Sequence, residues 1–325
     1  MSLMADEPAA KTLDLFASCP APDRAAPHVR HLVEAAAEIL NDPSPTDRDR
    51  AFMARQLVQA TLPHSDPGDT PVWARTNGRL TLVVRPYYDI TLRRHLYPYG
   101  SVPRLLLFWL TTEAVRTKSR VLYPGNTMAQ FMRTLGLNPD NGSAGAKRSD
   151  ARRLREQMLR LFRATISFEV NEGSSVAGSR EWLDMQVTTG GHLWWDFREL
   201  SQGALFETVV ELGEKFYEAI LATPVPADMR ALRALKRSPL ALDLYAWATY
   251  RTFTVTQAGK PAFISWAALA AQMGGDYAEL DNFVAAAKTA LRRVQLVYPA
   301  LRIGDAKGGI MLRPSAPAVP RRTVP

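Results

Sequence analysis

Cysteine and long apolar runs are both scarce in this sequence. Cys19 is the only cysteine among 325 residues, which excludes an internal disulfide and a zinc site built from several cysteines. The longest apolar run, residues 105–110, falls far short of the ~20 residues that a membrane-spanning helix needs. The N-terminus has no basic region followed by an apolar stretch, so no secretory signal is predicted. We therefore expect a protein of the reducing cytoplasm without a membrane partner.

Signatures of catalysis are missing as well. No Gly-x-x-x-x-Gly-Lys-Ser/Thr loop is present, since Gly259 and Lys260 stand without the rest of that motif. The five histidines form no His-x-His pair, and the acidic residues show no spacing typical of a metal site. An enzyme, such as a relaxase-type nicking protein or an ATP-driven duplex opener, is therefore the weaker interpretation. The sequence predicts no catalytic residue, no metal and no cofactor.

Positive charge, by contrast, is in excess. Lys and Arg number 40 against 32 Asp and Glu, which gives a formal net charge of +8. Such a chain attracts polyanions, and nucleic acid is the first candidate, ahead of an anionic membrane. The length allows about two domains with cores of their own. The hydrophobic content of 46% fits a folded protein.

The most informative stretch is residues 149–168. Apolar residues recur at helical spacing on one face, at Leu154, Met158, Leu161 and Phe162. The opposite face is polar and almost entirely cationic, and consists of Ser149, Arg152, Arg153, Arg160 and Arg163. Residues 165–170, which follow, are β-formers of alternating character. A helix with an arginine face that runs into a hairpin is typical of a winged helix, and an ordinary solvated helix surface is the simpler alternative.

The same order of elements occurs twice. In the first copy a buried helix at 103–117 precedes a short helix at 128–135, which Thr127 and Gln130 open as a capping box and Gly136 closes. The basic helix follows, then a hairpin of residues 166–170 and 182–187 with a turn at 173–178. In the second copy the helices cover 240–253, 266–273 and 279–294, and strands at 302–303 and 310–312 flank a turn at 304–309. The copies lie about 130 to 140 residues apart, longer than solenoid repeats, which indicates a duplicated domain.

These elements predict an α+β fold, mainly α, with two tandem winged-helix domains, small β-hairpins and an N-terminal helical extension. The extension, partly disordered, covers 1–79 with helices at 29–40 and 46–61. The first domain covers 80–222, the second 223–314, and 315–325 is a flexible tail. Within the first domain a strand begins at Leu80, Gly190 and Gly191 mark a turn, a strand covers 205–212 and a helix covers 214–221.

The third helix of the second copy also divides into two faces. Its polar face consists of Asn282, Ala285, Thr289, Arg292 and Arg293. Asparagine can pair with adenine, threonine can contact the thymine methyl group, and arginine serves guanine or phosphate. Because this face is less cationic than the first, a plain polar surface is an equally good interpretation.

Five runs of the sequence carry a family resemblance. They are residues 97–107 (YPYGSVPRLLL), 112–117 (TEAVRT), 131–136 (FMRTLG), 152–158 (RRLREQM) and 238–245 (SPLALDLY). Over roughly residues 80–314 the chain resembles the plasmid-encoded RepA family of replication initiators, and 97–117 is the most specific part. The resemblance implies two winged-helix domains that bind repeated origin sequences, called iterons, help to open the duplex and recruit the host replication machinery. It also implies iteron binding by monomers and repression of the initiator's own gene by dimers.

The third helix of each domain would then lie in the major groove, so that one chain reads two successive grooves about 34 to 36 Å apart. The predicted phosphate contacts are Lys147, Arg148, Arg152, Arg163 and Arg292. The predicted base-edge contacts are Arg153, Arg160, Asn282, Thr289 and Arg293, with Ser149 on the same face and Lys307 at the tip of the second wing.

The expected partners are duplex DNA at origin iterons, the host replication initiator and helicase, and a second copy of the chain. A winged-helix transcriptional repressor without a replication role is the alternative function, because the fold alone does not separate the two. For residues 1–79 we hypothesise an arm that binds a host helicase or loader.

Overall fold

The computed structural model describes residues 27–140, 149–173, 178–192, 208–273 and 277–320. These residues hold ten helices and fourteen strands in five small sheets. The helices are α1 (Pro27–Asn41), α2 (Arg55–Gln59), α3 (Ser101–Thr117), α4 (Met128–Thr134), α5 (Asp150–Phe162), α6 (Glu214–Ala222), α7 (Met229–Leu235), α8 (Pro239–Ala258), α9 (Trp266–Met273) and α10 (Leu280–Val297). The strands are β1 (Arg50–Ala54), β2 (Trp73–Asn77), β3 (Leu80–Arg85), β4 (Tyr87–Asp89), β5 (Arg94–Leu96), β6 (Val121–Leu122), β7 (Thr165–Gly173), β8 (Gly178–Gln186), β9 (Thr188–His192), β10 (Val209–Leu212), β11 (Pro224–Asp228), β12 (Ala262–Ser265), β13 (Ile303–Ala306) and β14 (Gly309–Leu312).

Both predicted copies of the element order are present. The order α3–α4–α5 leads into the β7–β8 hairpin, and α8–α9–α10 leads into the β13–β14 hairpin. Four helices begin at serine or threonine caps, among them the predicted cap Thr127. The hydroxyl oxygens of Thr127, Ser149, Ser238 and Ser265 each accept the backbone N–H three residues further on, at 3.1 to 3.2 Å. These local signals determine where the helices begin.

The first helices of the two copies, α3 and α8, form the centre of the molecule. Both are apolar around most of their circumference, and a helix of that kind is stable only where neighbours cover it on all sides. Leu106 of α3 and Trp247 of α8 are fully buried, and they belong to one continuous hydrophobic core. The two copies therefore share a core.

The sheets of the two copies are built differently. In the second copy β12, β14 and β13 form a three-stranded sheet of their own. In the first copy the β7–β8 hairpin instead joins β3 and β2 in a four-stranded sheet, while β6 pairs with β10. The first copy thus takes two of its strands from the segment that precedes it.

Residues 27–79, predicted as a separate extension, are integrated into this core. Leu32 and Ile39 of α1 are buried where α1 packs on α7 and α10. Leu57 of α2 is buried beside α8. The predicted boundary after residue 79 cuts through the turn between β2 and β3, whose strands pair over their full length. The described part of the predicted extension is therefore not a free arm.

The helix predicted at 46–61 is wrong for most of its length. A turn, strand β1 and the five-residue α2 occupy it instead. The cause is a distant partner, because β1 pairs antiparallel with β11 from Arg50↔Asp228 to Ala54↔Pro224. The apolar residues of this stretch have helical spacing, but pairing with a strand more than a hundred residues away determines its structure.

The turn predicted at Gly190 and Gly191 is wrong as well, since both residues lie in β9. Strand β9 pairs with β10, and a Cβ atom at position 191 would lie 2.6 Å from the carbonyl oxygen of Val209. The glycine therefore allows a close approach of two strands and does not reverse the chain.

Candidate nucleic-acid interface

The basic helix α5 forms where the sequence predicts it, with its apolar face in the core. Leu154, Met158 and Leu161 are fully buried and hold the helix against α3. Ser149 is also buried, and its hydroxyl oxygen is occupied by the N-cap bond to Arg152 N–H at 3.2 Å. Ser149 therefore shapes the start of the helix and does not belong to the exposed face.

Arg152 and Arg153 lie on the exposed side of α5. Each forms an intrahelical ion pair, Arg152 with Glu156 at 2.8 Å and Arg153 with Asp150 at 3.5 Å. The two arginine side chains nevertheless keep 44% and 56% of their surface exposed. Arg155, which was not among the predicted contacts, is exposed on the same helix. This part of the predicted cationic face is open to solvent.

Arg160 is not on that open face, and its predicted contact with a base edge needs correction. Its side chain is buried beneath the segment that precedes α3. The guanidinium donates to Asp66 at 3.2 Å and to the Tyr97 carbonyl oxygen at 3.2 Å, and lies 5.2 Å from the centre of the Tyr99 ring. A guanidinium held in this way cannot reach a base edge without breaking the fold.

Arg163, at the C-terminal end of α5, is exposed but packed against a ring. Its guanidinium carbon lies 3.6 Å from the centre of the Tyr87 ring in β4, a cation–π contact. The remaining two predicted contacts of this region, Lys147 and Arg148, lie outside the described residues, as does most of the predicted turn at 173–178.

The third helix of the second copy, α10, presents the predicted polar face. Asn282, Thr289 and Arg292 are exposed, and Arg293 is half-buried. The Thr289 hydroxyl donates to the Ala285 carbonyl oxygen at 3.0 Å. The opposite face of α10 is buried in the core.

Lys307 lies at the tip of the second hairpin, as predicted. It is exposed in a turn tighter than the one expected, since β13 and β14 pair up to Ala306↔Gly309. The close approach of β14 to β12 requires Gly309, where a Cβ atom would lie 2.2 Å from the Ile264 carbonyl oxygen. One cation is therefore carried on a rigid hairpin beside α10.

The two copies are tied together by a buried ionic cluster that was not predicted. Arg104 of α3 donates to both oxygens of Asp243 of α8, at 2.7 and 2.8 Å. Its other N–H groups donate to the carbonyl oxygens of Leu62, Pro63 and Gly100, at 2.6 to 3.1 Å. All five guanidinium hydrogens are used, which satisfies a charge that is only 3% exposed.

His64 completes this cluster, with Nε2 at 2.8 Å from Asp243 Oδ2. Burial lowers the pKa of His64, against the raising effect of its bond to Asp243, so the neutral imidazole donates to the carboxylate. For Asp243 burial alone would raise the pKa, but the charge of Arg104 and the hydrogen bonds from His64 and Arg104 outweigh it and hold the pKa at about 2. The cluster is thus a permanent ion pair that fixes α3 against α8.

A signal for this pair exists in the sequence. Arg104 is the only charged residue in 101–111 of α3 and Asp243 the only one in 239–250 of α8, and charged side chains are buried only when paired. Two isolated charges of opposite sign on two buried helices therefore indicate a contact between those helices.

The described residues contain no group of three or more His, Cys, Asp or Glu side chains that could hold a metal ion. None of the helices in these ranges is long and apolar enough to cross a bilayer. What the geometry offers is a pair of polar helix faces on one rigid core.

Comparison with known proteins identifies the family. Residues 97–268, more than half of the chain, match the family of plasmid-encoded RepA proteins. The chain belongs to this family. Membership makes it a plasmid replication initiator, in agreement with the sequence resemblance. The match of this RepA-family protein includes Arg104 and Asp243, the whole of α5 and the start of α9.

A solved structure is also similar to this RepA-family protein. A crystal structure of domains 2 and 3 of RctB aligns with 79% of this chain and 94% of that chain, at 13% sequence identity and a TM-score of 0.45. No curated protein sequence matches the chain.

Proposed function

We propose that this RepA-family protein binds duplex DNA at repeated sequences of a plasmid replication origin, with α5 and α10 in successive major grooves. Each of the two copies of the element order in the protein would act as a winged-helix module whose third helix reads the groove. The observation that carries the proposal is that both third helices expose a polar face while their other sides are locked in one core. An α-helix fits the major groove, and two reading helices on one chain can bind an asymmetric site of about two turns.

The ion pairs on α5 do not prevent this role. Both arginine side chains are about half exposed, so releasing them from Glu156 and Asp150 costs no more than about 1 kcal/mol each. A bidentate contact between arginine and guanine discriminates by about 1 to 3 kcal/mol. The exchange of one partner for the other is therefore favourable at a guanine and unfavourable elsewhere, which is what sequence reading requires.

Exposure decides which of the predicted contacts we keep in the interface. We assign base-edge contacts to Arg153, Asn282 and Thr289, and phosphate contacts to Arg152 and Arg292. Arg293 borders the second face, and Lys307 reaches the backbone beside it. Arg160 is left out because it is buried.

The first experiment is the selection of duplexes bound by the full chain from a random pool. Directly repeated sites, found again beside an A·T-rich tract in the plasmid, would support initiation at iterons. A single operator over a promoter would instead favour the transcriptional repressor. Absence of any enriched sequence would refute sequence-specific binding.

The second experiment separates reading from positioning. Arg153→Ala should lose about 1 to 3 kcal/mol on the selected sequence only, because it removes a base contact. Arg292→Ala should weaken all duplexes alike and reduce the slope of log K against log salt by about one unit, because it removes a phosphate contact. Gel shifts over a salt series measure both quantities.

A matched control is available on α3. Arg116 pairs with Glu113 three residues away and is 63% exposed, so it resembles Arg153 in setting but lies outside both faces. Arg116→Ala should leave binding unchanged. If Arg153→Ala behaves like Arg116→Ala on every duplex, α5 is not a reading helix.

Repression of the protein's own gene and contact with the host initiator and helicase belong to the same proposal. A promoter–reporter fusion tests the first, and the fold-repression should fall in the Arg153→Ala variant. Co-purification of host replication proteins with the full chain on origin DNA tests the second.

A further inference from the structure

A further hairpin, β4–β5, lies outside both copies of the element order. It projects beside α5 and presents apolar side chains to solvent. Its strands pair from Tyr87↔Leu96 to Asp89↔Arg94, and residues 90–93 form the tip. Ile90 at the tip is 81% exposed and Leu92 is 60% exposed. Two large aliphatic side chains so fully in water are unfavourable for the isolated chain and point to a surface that they contact.

The tip is held in one conformation. One oxygen of the Asp89 carboxylate accepts the backbone N–H groups of Thr91 and Leu92, both at 2.9 Å. Arg93 has a φ of 51°, a left-handed conformation that non-glycine residues adopt at a cost of about 1 to 2 kcal/mol. A turn fixed by two such bonds presents Ile90 and Leu92 in a set direction.

The base of the hairpin is fixed as well. The backbone N–H of His95 donates to Asp69 Oδ1 at 2.8 Å, and the His95 ring nitrogen Nδ1 lies 2.7 Å from the same oxygen. Leu96 is buried in the core. The base of the hairpin is therefore anchored, and Ile90 and Leu92 project from it into solvent.

The hairpin is coupled directly to α5. Arg163 of α5 stacks on Tyr87 at the hairpin base, and Arg160 donates to the carbonyl oxygen of Tyr97 just after β5. The two arginines thus fasten the hairpin to the C-terminal turn of the proposed reading helix. The hairpin base and α5 therefore form one unit, so a duplex bound along α5 would come close to this hairpin.

The charge around the tip indicates the occupant. Arg93 and Arg94 directly follow the aliphatic pair and are both exposed, whereas the Asp89 carboxylate is engaged in the turn. Apolar wedges flanked by arginine are the means by which proteins enter the minor groove, unstack a base step and kink the duplex. An acidic protein surface would satisfy the arginines but would leave the wedge without a stacked step to enter.

We propose that the β4–β5 hairpin inserts Ile90 or Leu92 between two base pairs in the minor groove that flanks the α5 site, with Arg93 and Arg94 on the adjoining phosphates. The occupant is the same duplex that α5 binds, so this inference rests on the proposed function. Insertion of this hairpin would distort the origin DNA locally, through a rigid element that lies outside both copies of the element order in the protein.

The test uses the full chain with both Ile90→Ser and Leu92→Ser. These substitutions remove the wedge but keep Asp89, Arg93 and Arg94. The matched control is Leu40→Ser on α1, where a leucine is 61% exposed away from α5. The probe is a duplex selected by the wild-type chain, with 2-aminopurine placed singly at each step beside the α5 site.

Unstacking raises 2-aminopurine fluorescence, so the wild type and the Leu40→Ser control should give a rise at one step and the double variant should lose it. A mismatch at that step lowers the free-energy cost of unstacking. It should therefore tighten wild-type binding by roughly tenfold and leave the affinity of the double variant unchanged.

The outcomes separate the two proposals. If the wild type binds no duplex, the proposed function fails and the wedge fails with it. If it binds but the double variant gives the same fluorescence rise and the same response to a mismatch, the wedge is refuted and the proposed function stands. The double substitution could instead lower the sedimenting mass of the free protein from dimer to monomer and leave the rise in 2-aminopurine fluorescence as it is in the wild type. The tip then contacts a second copy of the chain, and the wedge is again overturned.

Discussion

Asp243→Leu leaves Arg104 charged and buried between α3 and α8. In the native fold Asp243 accepts two of the five N–H donations of that guanidinium and supplies its counter-charge. Removing one partner of a buried ion pair costs about 3 to 5 kcal/mol, because the other charge stays desolvated. Total stabilities run to about 5 to 15 kcal/mol, so this one substitution should remove at least about a fifth of the free energy of unfolding.

The partner substitution sharpens the prediction. Arg104→Met should cost a similar amount, since it strands Asp243 and leaves the carbonyl oxygens of Leu62, Pro63 and Gly100 without their donor. The double variant carries no buried charge in this cluster. It should therefore be less destabilised than the sum of the single variants, with a coupling of about 2 to 3 kcal/mol.

Urea unfolding followed by circular dichroism and tryptophan fluorescence gives the free energy of unfolding for the wild type and the three variants. A surface pair supplies the control, because Arg116→Ala breaks an exposed ion pair and should cost no more than about 1 kcal/mol. Additive effects of Arg104→Met and Asp243→Leu within about 0.5 kcal/mol would contradict the direct pairing on which the reasoning depends.

Two further predictions concern single residues near this cluster and α5. Burial lowers the pKa of His64 below its usual 6.5. As the pH drops, His64 therefore takes up a proton in the unfolded chain before it does so in the folded chain. The free energy of unfolding has its full value above pH 6.5 and falls below it. His64→Gln should remove this part of the slope between about pH 7 and about pH 5 in urea titrations, and an unchanged slope would exclude His64 as its source. Arg160→Ala should lower the unfolding free energy by about 1 to 3 kcal/mol, because the Tyr97 carbonyl oxygen loses its donor, yet leave the bases selected within the α5 site unchanged. A changed preference at those bases would restore Arg160 to the base contacts.

The part of the fold that the sequence predicts well is local. Thr127 caps the helix it was expected to cap, because a hydroxyl cap depends on the next three residues alone. The buried helices α3 and α8 follow from apolar residues around their whole circumference. Such features need no knowledge of what lies elsewhere in the chain.

The errors share one cause, which is a distant partner. Strand β1 was predicted as helix because its partner β11 cannot be found from the spacing of residues around Arg50. Gly191 was predicted in a turn because its short contact with Val209 becomes apparent only when β9 lies beside β10. In both places a pairing across sequence overrides the local preference.

The arginine face of α5 shows the same limit at the scale of one side chain. Helical periodicity places Arg153 and Arg160 on one polar side, and it gives the direction of each side chain from the helix axis. It does not give what lies in that direction. Solvent lies beside Arg153, whereas the segment that carries Asp66, Tyr97 and Tyr99 covers Arg160. A count of cations on a helical wheel therefore overstates the number of side chains that a duplex could contact. The covered arginine nevertheless has a place in the complex that we propose, because it is one of the two that hold the β4–β5 hairpin against α5 and so would determine where the apolar tip meets the duplex.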